Sequence, residues 1–415
     1  MRQVLNDTPA ILGGPPICGA YPTWPIWDAS ERDAVQSVLE SGAWWSGDGD
    51  RAATFARDFA AFHGAEHGLA LANGTHTLEA ALAACDIGEG DEVIVPAMTF
   101  VASATAVMAV NATPVLVDID PRTLCIDVAA AEAAITDRTR AIMAVHVAGA
   151  AADLDALVEL CTRKNLHLIE DCAHAHGTLW RGRGVGSWGS FGSFSMQASK
   201  LMTAGEGGVL ICNDARLRSA AWSYANCGRV EGEWFYHHTR YGANLRMTEW
   251  QGAVLSAQLA RFPGQNRRRN ENAVALGDVL AAIPGIEPQH RDPRMNAQGN
   301  YCYVFHYDAS AFGGMSLRLF ERALGAEGAP MGVSYPSLNE LALFQNGDFG
   351  PRLRASAPAI DYSHLHLPRA EHAARSTVWL QHRLLLGERE KVLDVARAVE
   401  RIQRRAGDIL AANSA

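Results

Sequence analysis

From about residue 68 onward, short apolar runs alternate with longer stretches whose apolar positions recur at helical spacing. The runs that predict strands are 93–95, 115–117, 141–145, 166–169, 191–195 and 208–211. Helices are predicted to begin near Thr75, Phe100, Val128, Asp153 and Asp214. This alternation predicts an α/β fold with a mainly parallel central sheet covered by helices on both faces. In such a sheet ligands lie beyond the carboxyl ends of the strands, so the residues following each run carry the chemistry.

The chain outside this region reads differently. Gly13, Gly14, Pro15, Pro16, Pro22 and Pro25 deny the first two dozen residues a long regular element, which predicts an arm lying on another part of the chain. Ser30 is the expected N-cap of the first helix, with Val35, Val38 and Leu39 at helical spacing before Gly42. WWSGDG at 44–49 predicts a loop whose two tryptophans either belong to the core, the favoured reading, or wall a pocket. Beyond Arg261-Phe-Pro-Gly the alternation stops. CYVFHY at 302–307 predicts a strand, and Glu388 to Ile409 a last helix with its apolar stripe at Val392, Val395, Val399 and Ile402. The expected organisation is an arm (1–27), a large domain (28–263) and a smaller α+β domain (264–415).

Composition narrows the class. The 415 residues are 48% hydrophobic and 20% charged, as in an ordinary globular chain, and the formal charge of −9 gives no reason to expect nucleic acid or an anionic membrane as partner. Arg267, Arg268 and Arg269 are read as a solvated helix face. Eight cysteines without a C-x-x-C pair predict free, buried thiols. No run approaches 18 apolar residues and the start lacks a signal-like pattern, so the expectation is a cytoplasmic protein. No set of residues has zinc-ligand spacing, so no metal is expected.

Four strand ends carry candidate chemistry. Asn73-Gly74-Thr75-His76-Thr77 precedes a helix, where the amides of Gly74 and Thr75 can meet a phosphate, or the segment is an ordinary capped turn. Phe100 follows VIVP and can stack on a flat ring or belong to the core. Asp171 follows LHLIE, placed either to pair with a protonated pyridine nitrogen or to cap the next segment. His174 and His176 then come close behind. The fourth end, SFSMQASKLMTAGEGG, sets Lys200 after Ser195 and Gln197 and before a glycine-rich loop. A lysine amine made nucleophilic there fits a Schiff base with an aldehyde cofactor whose phosphate takes the Ser195 hydroxyl.

The motifs NGTHTLEAAL, DEVIVPAMTF, LIEDCAHAHG, SFSMQASKLMTAGEGG and GANLRMTEWQGAVL together resemble the DegT-type sugar and aminocyclitol aminotransferases, pyridoxal phosphate enzymes of fold type I. The resemblance covers nearly the whole chain. It implies that Lys200 forms the Schiff base and shuttles protons, that Asp171 pairs with the pyridine nitrogen and that Phe100 stacks on the ring. It also implies that Gly74, Thr75 and Ser195 hold the phosphate with Gln197 beside it, and that His174 lies near the ring hydroxyl. Asn244 would reach the phosphate of a neighbouring subunit, making the enzyme a homodimer with shared sites.

Two branches of that family look nearest. PTWP, TLCID, YPSLN and the LP…H of 367–382 are similar to glutamine-dependent scyllo-inosose and 2-deoxy-scyllo-inosose aminotransferases, whereas HVAGAAADLDAL and DCAHAHG are similar to 3-amino-5-hydroxybenzoate synthases. The expected reaction passes an amino group from L-glutamine or L-glutamate, by way of pyridoxamine phosphate, to a cyclic ketone. Arg229, Tyr335 and His382 are nominated as substrate contacts. The rivals are an aminating dehydratase and a non-catalytic partner subunit that keeps the fold. The presence of Lys200, Asp171 and Ser195 together speaks against the second.

Overall fold

The computed structural model describes residues 7–350 and 360–413. Seven strands form the central sheet: β1 (His67–Leu71), β2 (Glu92–Pro96), β3 (Thr113–Val117), β4 (Thr139–Val145), β5 (His167–Asp171), β6 (Phe191–Ser195) and β7 (Gly208–Cys212). Their order is β1-β7-β6-β5-β4-β2-β3. The run from β6 to β3 is parallel, while β7 lies antiparallel to both β6 and β1. The expected parallel core is therefore present with a mixed edge. β2, β6 and β7 are buried along their whole length, which is why they read as unbroken apolar runs.

The helices on the sheet are α1 (Ala29–Ser41), α2 (Arg51–His63), α3 (Gly74–Ala84), α4 (Ala102–Ala109), α5 (Val128–Ala133), α6 (Leu154–Lys164), α7 (Ala215–Ala225) and α8 (Glu249–Leu280). A second antiparallel sheet, β8 (Ile286–Pro288), β9 (Cys302–Tyr307) and β10 (Thr377–Gln381), carries its own apolar core around Phe305, Phe312, Phe320, Val392, Val399 and Ile402. Cys18 and Tyr21 of the N-terminal segment join that second core. The segment is held there by Glu327, whose buried carboxylate accepts from the amides of Ala10 (3.0 Å) and Ile17 (3.1 Å) and pairs with Arg401.

Several expectations are corrected. The first helix is capped by Asp28, not Ser30: Asp28 accepts from Ser30 N while Glu31 accepts from Asp28 N, a closed capping box. Trp44 and Trp45 are 51% and 39% exposed and so are not core. The break expected at 263/264 falls inside α8, which runs 32 residues through Pro263 with Pro263 and Gly264 on its exposed side. Arg269 is fully buried, because the helical period turns the third arginine of the run inward while Arg267 and Arg268 face out. The last helix is two, Arg389–Arg404 and Ala406–Asn413. Helix α2 was not anticipated, although its buried Ala52, Phe55, Ala56, Phe59 and His63 have helical spacing. All eight cysteines are free, six of them buried. Among the described residues no helix is long and apolar enough to cross a membrane.

Candidate active site

The parallel strands end together. β4, β5 and β6 deliver Val145, Asp171 and Ser195 to the wall of a cavity of about 1280 Å³, which the start of α3, the Gln197–Lys200 turn and residues of the second sheet complete.

One end of this cavity is shaped by close backbone approach. Asn73 caps α3, accepting from His76 N at 2.9 Å, which leaves Gly74 and Thr75 in the first turn beside Ser195. A Cβ at Gly74 would lie 2.7 Å from the Ser195 Cβ, and one at Gly208 would lie 2.5 Å from the Asn73 carbonyl. Only glycine permits this nearness of helix terminus and serine. The positive end of the α3 dipole, its leading amides and the Ser195 hydroxyl are the groups here that could hold a phosphate.

Asp171, 6% exposed, is held from two sides. Its Oδ2 accepts from Ser103 Oγ at 2.7 Å and its Oδ1 from Ala173 N at 3.1 Å. Behind Ser103, the hydroxyl of Thr99 lies at 2.7 Å. A carboxylate only accepts, so Ser103 donates to it and Thr99 in turn donates to Ser103. Sequence reasoning missed Ser103. Its signal is the four-residue spacing from Thr99, which puts both hydroxyls on one side of the turn that opens α4.

Lys200 sits on a turn closed by its own amide bonding Gln197 O (2.8 Å), with the Gln197 side chain accepting from Ser199 N and Ser199 Oγ. The glycine-rich loop after it is tied back by Met196 N to Gly207 O and by Thr203 Oγ1 to Met196 O. Its Nζ lies 4.3 Å from the centre of the Tyr301 ring. Protein crowds the amine even though part of the side chain opens into the cavity, and this burial draws its pKa down to about 8 against the pull of Asp171. Tyr301 stacks on His174 (4.1 Å between centres) and bonds Ser199 Oγ. His174 accepts from Ala148 N at Nδ1 and pairs through Nε2 with the Tyr335 hydroxyl at 2.9 Å. Burial, then the Lys200 charge, holds His174 well below the ordinary histidine range, so its neutral ring donates to Tyr335.

Of the residues anticipated, Gly74, Thr75, Phe100, Asp171, His174, Ser195, Gln197, Lys200, Tyr335 and His382 all line this cavity. Phe100 is 57% exposed, with its ring 6.2 Å from Tyr335, so it is not core. His382 bonds Ser199 O through Nε2 at 3.2 Å. Arg229 and Asn244 do not line it. Arg229 donates to Phe235 O, and Asn244 is exposed and bridges Asn226. Tyr301 and Arg383 line it unanticipated.

A model described as the DegT/DnrJ/EryC1/StrS aminotransferase family matches residues 25–399. An L-glutamine:2-deoxy-scyllo-inosose aminotransferase of Micromonospora echinospora is 40% identical, with 95% of this chain and 97% of that one covered. A 3-amino-5-hydroxybenzoate synthase of Amycolatopsis mediterranei (strain S699) is 39% identical over 89% of this chain and 94% of its own. A crystal structure of 3-amino-5-hydroxybenzoic acid synthase superposes with a TM-score of 0.85 at 35% identity, covering 94% of this chain and 100% of that one.

Proposed function

Because the chain belongs to the DegT/DnrJ/EryC1/StrS aminotransferase family, we propose that it moves an amino group from L-glutamine or L-glutamate to a cyclitol-type ketone, using pyridoxal phosphate. The observation that carries this reading is the Lys200 amine, crowded by protein and drawn down to about 8, in one cavity with Asp171 and the glycine-built cradle.

The residues fit the cofactor. The α3 amides and Ser195 would hold its phosphate, Phe100 would offer its ring to stack on the pyridine, and the Asp171 carboxylate, fixed by Ser103 and Ala173, would pair with a protonated ring nitrogen. When bound, pyridoxal phosphate supplies the electron sink that makes the α-proton of an amino acid removable. Lys200 carries that proton: once the donor has displaced it from the cofactor, its Nζ, whose burial favours the free amine, takes the proton from the donor α-carbon, and the same group returns one to the carbon that receives the amino group. Tyr335, fixed by neutral His174, offers its hydroxyl in the cavity to a polyol substrate.

We propose further that the enzyme acts as a homodimer with shared sites. Trp234, Tyr236 and Tyr241 form an exposed aromatic stretch between Arg229 and Asn244, neither of which reaches the cavity of its own chain. The 3-amino-5-hydroxybenzoate synthase likeness supports a second reading, amination followed by loss of water, in which the same residues serve the first steps.

The test is the visible spectrum of the purified protein with L-glutamine, L-glutamate and L-alanine in turn. Conversion of the aldehyde-form band by one donor, followed by its return with a cyclic ketone, is expected. A protein that shows no such band after pyridoxal phosphate is supplied refutes the reading, and an aromatic product identifies the second one.

A further inference from the structure

One wall of the cavity is built by Trp24, His382 and Arg383, and none of its features is used by the contacts described above for the cofactor. Arg383 follows β10. Its Nε donates to Gln381 Oε1 (2.7 Å) and Nη1 points to Pro22 O (3.5 Å), and no carboxylate pairs with it among the described residues. Directly behind the wall lies Arg269, wholly buried, its guanidinium 5.4 Å from the centre of the Trp24 ring and its Nη2 3.4 Å from His382 Nδ1. Arg269 Nε and Nη1 have no hydrogen-bond partner among the described residues.

A buried guanidinium without a counter-charge is costly, and an arginine keeps its charge at any ordinary pH. The groups around it add no negative charge: His382 is held well below its usual range by burial and by Arg269, and His176 is lowered by burial and by neighbouring positive groups. The carboxylates lining the cavity are Asp171, engaged by Ser103 and Ala173, and Glu206, which is exposed. This wall is therefore a region of positive potential, worth more in a protein-walled cleft than in water.

We propose that the Trp24–His382–Arg383 wall, backed by Arg269, is a carboxylate subsite, with Arg383 as the contact. The proposal rests on the aminotransferase reading for the identity of its ligand. An amino donor must carry its α-carboxylate into the same cavity that a neutral polyol ketone enters, and Arg383 is the cation there that the chemistry does not already use. A carboxylate on the ketone itself has the same chemistry.

The experiment uses the holoenzyme and three probes: glutaramate, which is glutamine without its amino group; scyllo-inosose, which is uncharged; and 3-oxocyclohexanecarboxylate. Glutaramate binding is read by calorimetry, with no turnover. In Arg383→Gln its affinity is expected to fall about tenfold to a hundredfold, the size typical of losing one hydrogen bond to a charged partner, with partial recovery in Arg383→Lys. The apparent KM for L-glutamine rises by a like factor, while reoxidation of the amine form by scyllo-inosose changes by less than about threefold. If instead 3-oxocyclohexanecarboxylate alone loses affinity, the subsite stands and belongs to the acceptor. Unchanged affinity for both carboxylates in Arg383→Gln, or a loss that follows Arg229→Gln instead, overturns the proposal. Failure of wild-type protein to be converted by any donor would instead overturn the aminotransferase reading, so the two failures are distinct.

Discussion

Replacing Ser103 with alanine tests whether the hydroxyl relay beneath Asp171 serves the cofactor or only the core. Ser103 Oγ lies 2.7 Å from Asp171 Oδ2 and 2.7 Å from Thr99 Oγ1, with all three side chains buried. A hydrogen bond to an ionised partner contributes roughly 1.5–3 kcal/mol. If that bond aims the carboxylate at a ring nitrogen, its loss weakens binding of pyridoxamine phosphate about tenfold to a hundredfold. Pyridoxamine phosphate is the ligand to titrate, because it makes no covalent bond to Lys200 that would mask the change. Tryptophan fluorescence of the cofactor-stripped protein reads the affinity, and Ser103→Thr, which keeps the hydroxyl, should recover most of it. A Ser103→Ala protein that melts earlier yet binds pyridoxamine phosphate within twofold of wild type would refute the positioning argument and leave Ser103 a core residue.

Capture of pyridoxal phosphate by the stripped protein should rise about tenfold from pH 7 to pH 9 and then level, because Lys200, drawn down to about 8 by burial, is a free amine above that pH and an ammonium below it; a steeper rise that continues past pH 10 would mean a solvated lysine. Gly74→Ala forces a methyl to 2.7 Å from the Ser195 Cβ, so a stability loss of about 1–3 kcal/mol in denaturant titrations, together with weaker cofactor binding, is expected. Glu327→Gln removes the buried ion pair with Arg401 and leaves one carbonyl oxygen where two carboxylate oxygens accept from the Ala10 and Ile17 amides, a loss of about 3–5 kcal/mol measurable by urea unfolding.

Six of the seven strands were legible because they are short apolar runs, and β2, β6 and β7, buried on both faces, show no polar alternation; β1, half-buried along most of its length, was not anticipated. What local pattern could not weigh was competition between equivalent signals. Asp28 and Ser30 are both good caps, and Asp28 prevails because only it has Glu31 three residues on to close the box. Pro263 reads as a terminator, yet α8 passes through it where the ring faces solvent and neighbouring turns keep their bonds. Trp44 and Trp45 lie on the surface, and Trp45 meets Phe235 beside the exposed aromatic stretch, a long-range contact that no local pattern reveals.

The site divides along the same line. Gly74, Asp171, Ser195 and Lys200 stand at strand or helix ends of one contiguous parallel unit, so topology alone brings them together once the strands are placed. Tyr301 and Arg383 come from the second sheet, more than a hundred residues further along, and reach the cavity only because α8 and the N-terminal segment dock that sheet against the first. Arg269 shows the consequence most sharply: in the sequence it is one of three like charges, and burial makes it the one that acts on the cavity wall. Residues proposed to hold the cofactor thus lie in the part of the chain where order in sequence becomes order in space. The residues proposed to meet the substrate lie where two separately cored layers meet, so a change at them would leave the lysine and its carboxylate undisturbed.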